Sequence, residues 1–222
     1  MTGSRARRRT SPARACACAA LAGVLLLPAA LAAAESPSPF SGYGRRGAEI
    51  WVEVPRYTVP VGEAYINEYR IENGWGFGFG LMLGFTDVLA VEGRVVQSSH
   101  DVASTDATWD LDHAFVGVRY TFSPEEDLQP FVAVGGVRLA LEEEVELQSS
   151  SDFRRITGYG AFVSAGVDRV LTPRLVLSVR GDYYVMSYSR EFIGTDEHDF
   201  EGNGRGDGAG ISLCLGYRVP TW

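Results

Sequence analysis

The amino-acid sequence predicts an all-β fold, an eight-stranded antiparallel up-and-down barrel. Three observations support this prediction. Apolar residues alternate with small or polar residues along many segments, and this period of two is that of an extended strand. Turn-forming residues separate the segments. Beyond the first 34 residues, no apolar run reaches the roughly eighteen residues that a membrane-spanning helix needs.

The first 34 residues predict a secretory signal peptide. Five arginines form a basic head, and an uncharged apolar run follows over 15–34. Ala32 and Ala34 are placed for cleavage before Glu35. An uncleaved membrane helix is the alternative, but Pro28 and the alanine-rich end favour cleavage. The chain then divides into a signal peptide (1–34), a periplasmic N-terminal tail (35–47) and a barrel domain (48–222).

The charge and the cysteine content exclude several classes of function. The formal net charge is −8, and it becomes −13 when the signal peptide removes five arginines and no acidic residue. An acidic chain without lysine lacks the basic clusters that bind nucleic acid. Cys214 is the one cysteine outside the signal peptide, so the mature chain has no intrachain disulfide and no paired-cysteine metal motif. The sequence predicts no cofactor and no metal.

Eight segments with strand periodicity follow, and the connections between them alternate in length. Short periplasmic turns and long extracellular loops are typical of outer-membrane barrels. The predicted strands are 48–56, 74–86, 89–98, 112–122, 129–141, 156–170, 175–187 and 210–219. The predicted short connections lie near 87, over 123–129 and over 169–174, and the long ones cover 57–73, 99–111, 142–155 and 188–207.

The alternation is clearest in the second, fifth, seventh and eighth strands. In each of them the odd-numbered residues form an apolar row and the even-numbered residues form a row richer in small or charged side chains, as at Leu81 next to Gly80. The first strand, AEIWVEVPR, departs from the pattern because it carries Glu49, Glu53 and Pro55. Each strand is therefore expected to have one apolar face.

This alternation fits two barrels that are inside out relative to each other. A soluble, lipocalin-like barrel would place the apolar rows inside around a ligand. An outer-membrane barrel places them in lipid and fills its lumen with polar groups. The small residues favour the outer-membrane barrel, because the inside of a narrow cylinder has less room than its outside. The glycines expected inside are Gly76, Gly78, Gly80, Gly84, Gly117, Gly136, Gly158, Gly160, Gly166 and Gly216.

Aromatic residues gather near both ends of the predicted strands. Such clusters form the two girdles at the membrane surfaces in outer-membrane barrels. The girdle expected beside the short turns contains Phe85, Tyr120, Phe122, Phe131 and Tyr217, and the girdle expected near the long loops contains Trp75, Phe77, Tyr159 and Tyr183.

Charged residues on the polar rows predict a charge network in the lumen. An eight-stranded barrel is just wide enough for side chains to fill it, which favours a neutralised, hydrogen-bonded interior over the alternative of a gated ion path. The predicted network contains Glu49, Glu53, Glu92, Asp168 and Asp182, with Arg94, Arg119, Arg138, Arg180 and Arg218.

From about residue 74 to its end, the chain resembles the small eight-stranded outer-membrane barrels, the OmpX-like or outer-membrane beta-barrel domain family. The resemblance lies in the hairpin GFGFGLMLGFTDVLAVEGRV, in FVGVRYTFSPEEDLQPFVAVGGV, in AFVSAGVDRVLTPRLVLSVRGDYYV and in GISLCLGYRV. It implies a Gram-negative outer-membrane location and contact with membrane lipid and lipopolysaccharide. It also implies that the outer-membrane assembly machinery recognises a C-terminal strand ending at Trp222, although Pro220 interrupts that segment.

We expect a structural or surface-interaction protein with a closed polar lumen and acidic surface loops, not an enzyme. The partners of the extracellular loops cannot be read from the residues. A narrow or gated porin-like channel is the alternative. A lipid-modifying enzyme at the barrel rim is a third reading, because SSHD at 98–101 and His113 offer a hydroxyl, imidazoles and carboxylates near one loop.

Overall fold

Nine β-strands account for most of the chain that the computed structural model describes, which is residues 47–58, 72–102, 108–147, 150–193, 196–199 and 205–219. The predicted signal peptide, almost all of the N-terminal tail and Trp222 lie outside these residues. The strands are β1 (Gly47–Tyr57), β2 (Gly74–Gly84), β3 (Leu89–Asp101), β4 (Thr108–Thr121), β5 (Leu128–Leu147), β6 (Ser150–Val170), β7 (Leu175–Ile193), β8 (Asp196–Asp199) and β9 (Arg205–Val219).

Backbone pairing closes eight of these strands into a barrel. Consecutive strands from β1 to β7 pair antiparallel, β7 pairs with β9, and β9 pairs with β1. The four-residue strand β8 pairs with the far end of β7. The predicted eight-stranded antiparallel up-and-down barrel is therefore confirmed. Among the described residues, no helix is long and apolar enough to cross a membrane.

Two of the predicted long connections are largely strand. β5 continues to Leu147 and β6 begins at Ser150, and these two residues pair with each other, so the long connection expected over 142–155 is wrong. The connection expected over 188–207 is also mostly strand, because β7 runs to Ile193, β8 follows it and β9 begins at 205. The barrel therefore extends well beyond the predicted strand ends on the side opposite the short turns.

Opposite charges on neighbouring strands stabilise this extension. Arg155 of β6 pairs across the sheet with Glu142 of β5, and their side chains form an ion pair of 3.2 Å. Arg154 of β6 likewise lies 2.5 Å from a carboxylate oxygen of Glu191 of β7. Cross-strand pairs of opposite charge stabilise a sheet, and the Arg154–Glu191 pair lies on the row of the buried Ile156, on the inner side. Charged sequence that suggested a loop therefore forms strand.

The outward rows are apolar over a band that crosses every barrel strand. Leu81, Val116 and Ile211 expose 46%, 64% and 58% of their surface, as side chains do when they meet lipid instead of a core. Beyond this band the outward rows become polar. The first polar residue is Gln97 on β3 and Asp112 on β4. The membrane-spanning segments are therefore 48–54, 75–83, 89–95, 114–122, 130–136, 159–167, 175–185 and 209–219.

The faces of β5 are reversed relative to the prediction. Phe131 and Leu139 are buried inside the barrel, whereas Val134 is 58% exposed on the outside. Phe131 therefore does not belong to an aromatic girdle, and Arg138 does not belong to the lumen, because its side chain is exposed on the outer face. Gly136 also faces outward, contrary to the prediction.

The extension beyond the lipid band explains this reversal. Its outside meets water, so its polarity is that of a soluble barrel, with apolar groups inside. Val137, Leu139 and Leu141 lie in that inner core, and Arg138 points from between them to the outside. Because both faces of 131–137 are apolar, the alternation within this segment does not reveal which face meets lipid.

Candidate functional site in the barrel lumen

The centre of the lumen holds a buried cluster of charged side chains from three strands. Arg94 of β3 binds Asp182 of β7 in a bidentate pair, with N–O distances of 2.6 and 3.0 Å. One Arg94 nitrogen lies 3.3 Å from a carboxylate oxygen of Glu53 and donates to the Tyr57 hydroxyl at 3.0 Å. The Tyr57 hydroxyl in turn donates to Asp182 at 2.8 Å, and the Ser164 hydroxyl donates to the same carboxylate. These hydrogen bonds connect β1, β3, β6 and β7 across the barrel.

A second cluster lies nearer the short turns. Arg180 of β7 donates to Glu92 of β3 at 2.7 Å. Arg119 of β4 pairs with Asp168 of β6 and lies 3.9 Å from Glu92. The Ser178 hydroxyl donates to Asp168 at 2.7 Å. Glu92 therefore lies between two arginines, and Asp168 is held by an arginine and a serine.

A third pair lies at the end of the lumen beside the short turns. Arg218 of β9 donates to Glu49 of β1 at 2.9 Å and to the amide oxygen of Gln129 at 3.1 Å. The Gln129 amide nitrogen donates to the carbonyl oxygens of Pro124 and Glu126 at 2.6 and 2.8 Å. These bonds attach the turn between β4 and β5 to the pair that faces the periplasmic end.

The described lumen contains the five predicted acids and four of the five predicted arginines, since Arg138 lies outside. Arg94 forms ion pairs with both Glu53 and Asp182. The nearest acids of the other three arginines are Asp168 for Arg119, Glu92 for Arg180 and Glu49 for Arg218. The membrane section of the lumen is therefore nearly neutral, with one more carboxylate than guanidinium.

Inward aromatic side chains fill the space around these charges. The guanidinium of Arg94 lies 3.9 Å from the centre of the Phe115 ring, and that of Arg119 lies 3.4 Å from the centre of the Phe131 ring. Such contacts stabilise a buried cation. The indole ring of Trp51 lies against Gly80, where any side chain would overlap it.

The sequence prediction missed these aromatic residues, although part of the signal was present. Trp51 and Tyr57 share the row of Glu49 and Glu53 on β1, so the period of two places all four inside. On β4, Phe115 shares a row with the predicted Arg119 in the same way. The inward aromatic residues beside the charged clusters include Trp51, Tyr57, Phe115, Phe131, Phe162 and Tyr184.

An apolar layer lies next to the central cluster, on the side away from the short turns. The His113 imidazole lies between aromatic rings, with ring centres 4.9 Å from Tyr57, 5.5 Å from Phe115 and 5.4 Å from Tyr184. Further buried apolar residues continue this layer into the extension, and they include Val96, Trp109, Leu111, Val137, Leu139, Leu141, Ile156, Met186 and Tyr188. The polar interior of the membrane section is thus covered by an apolar core.

The residues of the enzyme hypothesis come together in part, but inside the barrel wall. The Ser98 hydroxyl lies 3.0 Å from Nε2 of His100, and Nδ1 of His100 lies 3.0 Å from the carbonyl oxygen of Glu72. Ser98 is 1% exposed and His100 is fully buried, and burial lowers the pKa of His100 below its ordinary value. Asp101 faces outward, on the side of β3 opposite His100.

The remaining predicted girdle residues all lie on the outward rows. Trp75 and Tyr159 are 57% and 60% exposed at the extracellular end of the band, and Phe85 is 67% exposed at the other end. Arg56 lies 5.5 Å from the centre of the Trp75 ring. The other outward girdle residues are Phe77, Tyr120, Phe122, Tyr183 and Tyr217. Within the described ranges, no group of three or more histidine, cysteine or acidic side chains is arranged to hold a metal ion.

A closed barrel with an apolar belt, aromatic ends and a charged interior defines the class of integral outer-membrane β-barrel proteins. The model of the outer membrane protein beta-barrel domain matches residues 19–218, so the chain belongs to that family. This places the protein in the outer membrane of Gram-negative type, in contact with membrane lipid and lipopolysaccharide. No curated protein matches the chain in sequence.

Solved structures with a similar fold are also small outer-membrane proteins. Neisserial surface protein A has a TM-score of 0.56 at 12% identity, over 78% of this chain and 97% of its own. OprG of Pseudomonas aeruginosa has a TM-score of 0.51 at 13% identity, over 80% and 98%. Ail, the attachment invasion locus protein of Yersinia pestis, has a TM-score of 0.50 at 14% identity, over 78% and 99%. At these identities the likeness concerns the fold.

Proposed function

We propose that this protein is a non-conducting outer-membrane barrel with a structural or surface-interaction role. The observation that carries the proposal is the set of buried ion pairs across the lumen, above all Arg94 with Asp182 and Arg180 with Glu92. In an eight-stranded barrel, side chains of this size fill the interior. The acidic extension outside the membrane then offers the surface that other molecules contact.

The energetics support a closed lumen. A buried charge is stable when a partner of opposite charge and further hydrogen bonds satisfy it, and removing one partner is strongly unfavourable. Opening a path through the barrel would separate Arg94 from Asp182 and would also break the hydrogen bond between Tyr57 and Asp182. The apolar layer around His113 adds a second barrier, because ions do not enter unhydrated apolar spaces without a large cost.

A narrow channel is the second candidate, and one observation favours it. Several buried polar atoms in the lumen have no hydrogen-bond partner among the described residues, and they include Oε1 of Glu53, Oε1 of Glu92, one Nη of Arg180, Oγ of Ser212 and Nδ1 of His113. Buried polar groups without protein partners bind water. Water near these atoms would begin a hydrated path through the lower lumen, which the apolar layer above still interrupts.

The lipid-modifying enzyme is the weakest of the three readings. A nucleophile must reach its substrate, and Ser98 is 1% exposed. The group at Nδ1 of His100 is the backbone carbonyl of Glu72, where a catalytic triad has a carboxylate. We therefore propose a structural role for this hydrogen-bonded pair, which fixes the inner face of β3 beside Glu72 and β2.

The C-terminal strand is the part that we propose the outer-membrane assembly machinery recognises. β9 joins β7 to β1 and so closes the barrel. From Ala209 its outward row consists of apolar and aromatic residues, and it ends at Val219 in the described part of the chain. Trp222, which the prediction placed at the end of this signal, lies outside the described residues.

A strain from which the gene has been deleted tests the proposed function. We expect the deletion to leave the uptake of small hydrophilic solutes unchanged and to increase sensitivity to detergent and to chelators of divalent cations, because an envelope component is lost and no pore is lost. Uptake is measured by the hydrolysis of a chromogenic substrate in the periplasm. A strain expressing the unmutated chain from a plasmid is the control. Slower solute uptake with unchanged detergent sensitivity would favour the channel.

A further inference from the structure

Glu53 is the most weakly satisfied acid of the described lumen. Its side chain is fully buried, and the one cation within ion-pair distance among the described residues is Arg94, with a nitrogen 3.3 Å from Oε2. No hydrogen-bond donor of the described chain reaches Oε1. The Cys214 thiol lies 3.9 Å from Oε2 and is a weak donor. A buried carboxylate with one long hydrogen bond is strongly unfavourable when it is ionised.

Arg94 already neutralises another carboxylate. It donates to both oxygens of Asp182, at 2.6 and 3.0 Å. The hydroxyls of Tyr57 and Ser164 donate to Asp182 as well. Hydrogen bonds of this number favour the ionised form of Asp182. One guanidinium balances one carboxylate, so Arg94 leaves Glu53 without a charge partner of its own.

The described lumen offers no second cation to Glu53. Arg180, the next guanidinium, donates to Glu92 at 2.7 Å and forms no ion pair with Glu53. The charged and titratable groups that act on Glu53 are Arg94 on β3, Arg180 and Asp182 on β7, Tyr57 on β1 and Cys214 on β9. On β2 the facing residue is Gly78, which has no side chain. The five lumen acids outnumber the four lumen arginines by one, and Glu53 is the acid in excess.

We propose that Glu53 binds a proton in the folded barrel at neutral pH and is the uncharged acid of the lumen. The proton lies on Oε1, because Oε2 accepts from Arg94. A neutral carboxyl donates one hydrogen bond. The hydroxyl of Ser212, on the inward row of β9 and also without a partner, can accept it through a bridging water. The remaining acids then balance the arginines, and this holds whether or not the lumen conducts.

A bound proton has a defined effect on stability. In the unfolded chain a glutamate is ionised at pH 7, so folding takes up one proton at Glu53. This uptake becomes less favourable as the pH rises, so Glu53 should increase the unfolding equilibrium constant by about tenfold for each pH unit near neutrality. Glutamine has the shape of a neutral carboxyl group and takes up no proton.

Urea unfolding in detergent micelles at pH 6, 7 and 8 tests the proton site. We expect Glu53→Gln to lower the unfolding equilibrium constant at pH 7 by about a hundredfold, and to remove the pH dependence that Glu53 contributes. The matched control is Glu92→Gln, the same substitution at the buried acid that Arg180 binds. It should raise the constant by about a hundredfold. The buried histidines are present in every variant, so their titration cancels in the comparison.

Three results would overturn the site. The first is destabilisation by Glu53→Gln as large as that by Glu92→Gln. The second is a Glu53→Gln chain that fails to fold, judged by heat-modifiable mobility on gels, where Glu92→Gln folds. The third is a stability of the unmutated protein that depends on sodium concentration and not on pH, because a bound cation would then balance Glu53.

Infrared spectroscopy detects the proton without relying on the stability of a lumen variant. The C=O stretch of a protonated carboxyl group is separate from the bands of ionised carboxylates. Burial, followed by the charge of Glu142, raises the pKa of Asp112 outside the membrane, so Asp112→Asn serves as the background. At pH 7 we expect a protonated carboxyl band in this background, and we expect Glu53→Gln to remove it. Absence of the band at pH 7 would contradict the bound proton.

Discussion

Replacing Arg180 by leucine is expected to destabilise the barrel by roughly 3–5 kcal/mol. Arg180 donates to Glu92 at 2.7 Å, and both side chains are 2% exposed. The replacement leaves the Glu92 carboxylate buried with Arg119 as its remaining partner at 3.9 Å, which is beyond hydrogen-bond distance. The cost therefore arises from an under-satisfied buried charge more than from the lost bond. Urea unfolding of the protein in detergent micelles, followed by tryptophan fluorescence, measures it.

A double-mutant cycle identifies the partner. Adding Glu92→Leu to Arg180→Leu removes both charges and should restore much of the lost stability. Adding Asp168→Asn instead should restore nothing, because Asp168 pairs with Arg119 and receives a hydrogen bond from Ser178. Equal recovery in the two double variants would show that the lumen charges are not paired as the distances indicate.

Placing an arginine at Leu81 is expected to cost about 2–4 kcal/mol, the range for a cation on the lipid face near the centre of the band. Leu81 lies on the outward row of β2, and Val179 on β7 is in the same situation. The matched control is Ser187→Arg, an exposed outward position of β7 beyond the band, which should cost little. The same urea titration compares Leu81→Arg, Val179→Arg and Ser187→Arg. Equal stability of Leu81→Arg and Ser187→Arg would contradict the position of the lipid band.

Substituting Gly80, the glycine next to Leu81, should destabilise the barrel for a different reason. Any side chain at Gly80 overlaps the ring of Trp51, so Gly80→Ala requires the indole or the strand to move and should destabilise by about 1–3 kcal/mol. Gly93 pairs with Leu81 on the neighbouring strand and faces outward. A Cβ atom added at Gly93 would lie 3.8 Å from its nearest neighbour, so Gly93→Ala should be tolerated. The contrast separates crowding in the lumen from exposure to lipid.

The barrel and most of its faces could be predicted from the sequence because lipid imposes a strict alternation on each strand. On β7, Val179 and Arg180 differ so much in polarity that each side chain fits one environment only. The same contrast was missing from β5, where Val134 and Val137 lie on opposite faces and are equally apolar. The prediction therefore assigned the wrong face of β5 to lipid and placed Phe131 there.

The partners of the lumen charges could not be predicted for a different reason. Which acid meets Arg180 depends on the stagger of the strands around the barrel, and that stagger is set by the closure of all eight strands together. Asp182, two residues further along the same strand, belongs to Arg94, whereas Glu92 from β3 on the opposite wall belongs to Arg180. Separation along the chain carries no information of this kind.

The extension outside the membrane was missed because charge was interpreted as loop. Glu142 and Arg155 are charged, but they pair across neighbouring strands, and the inner face of the same strands carries Leu139 and Leu141. A strand that leaves the membrane keeps its period of two and reverses which face is apolar. The reversal occurs at Arg138. The signal that would have located it is the point within one strand where the outward row changes from apolar to charged.

Single-channel recording in planar bilayers tests the closed lumen most directly. With the purified, unmutated protein we expect no steady conductance of porin size, because the ion pairs of Arg94 and Arg180 and the apolar layer around His113 leave no continuous water column. Arg180→Leu, if it folds, should give a small leak. A large resting conductance in the unmutated protein, together with full stability of Arg180→Leu, would contradict the account and identify the protein as a channel.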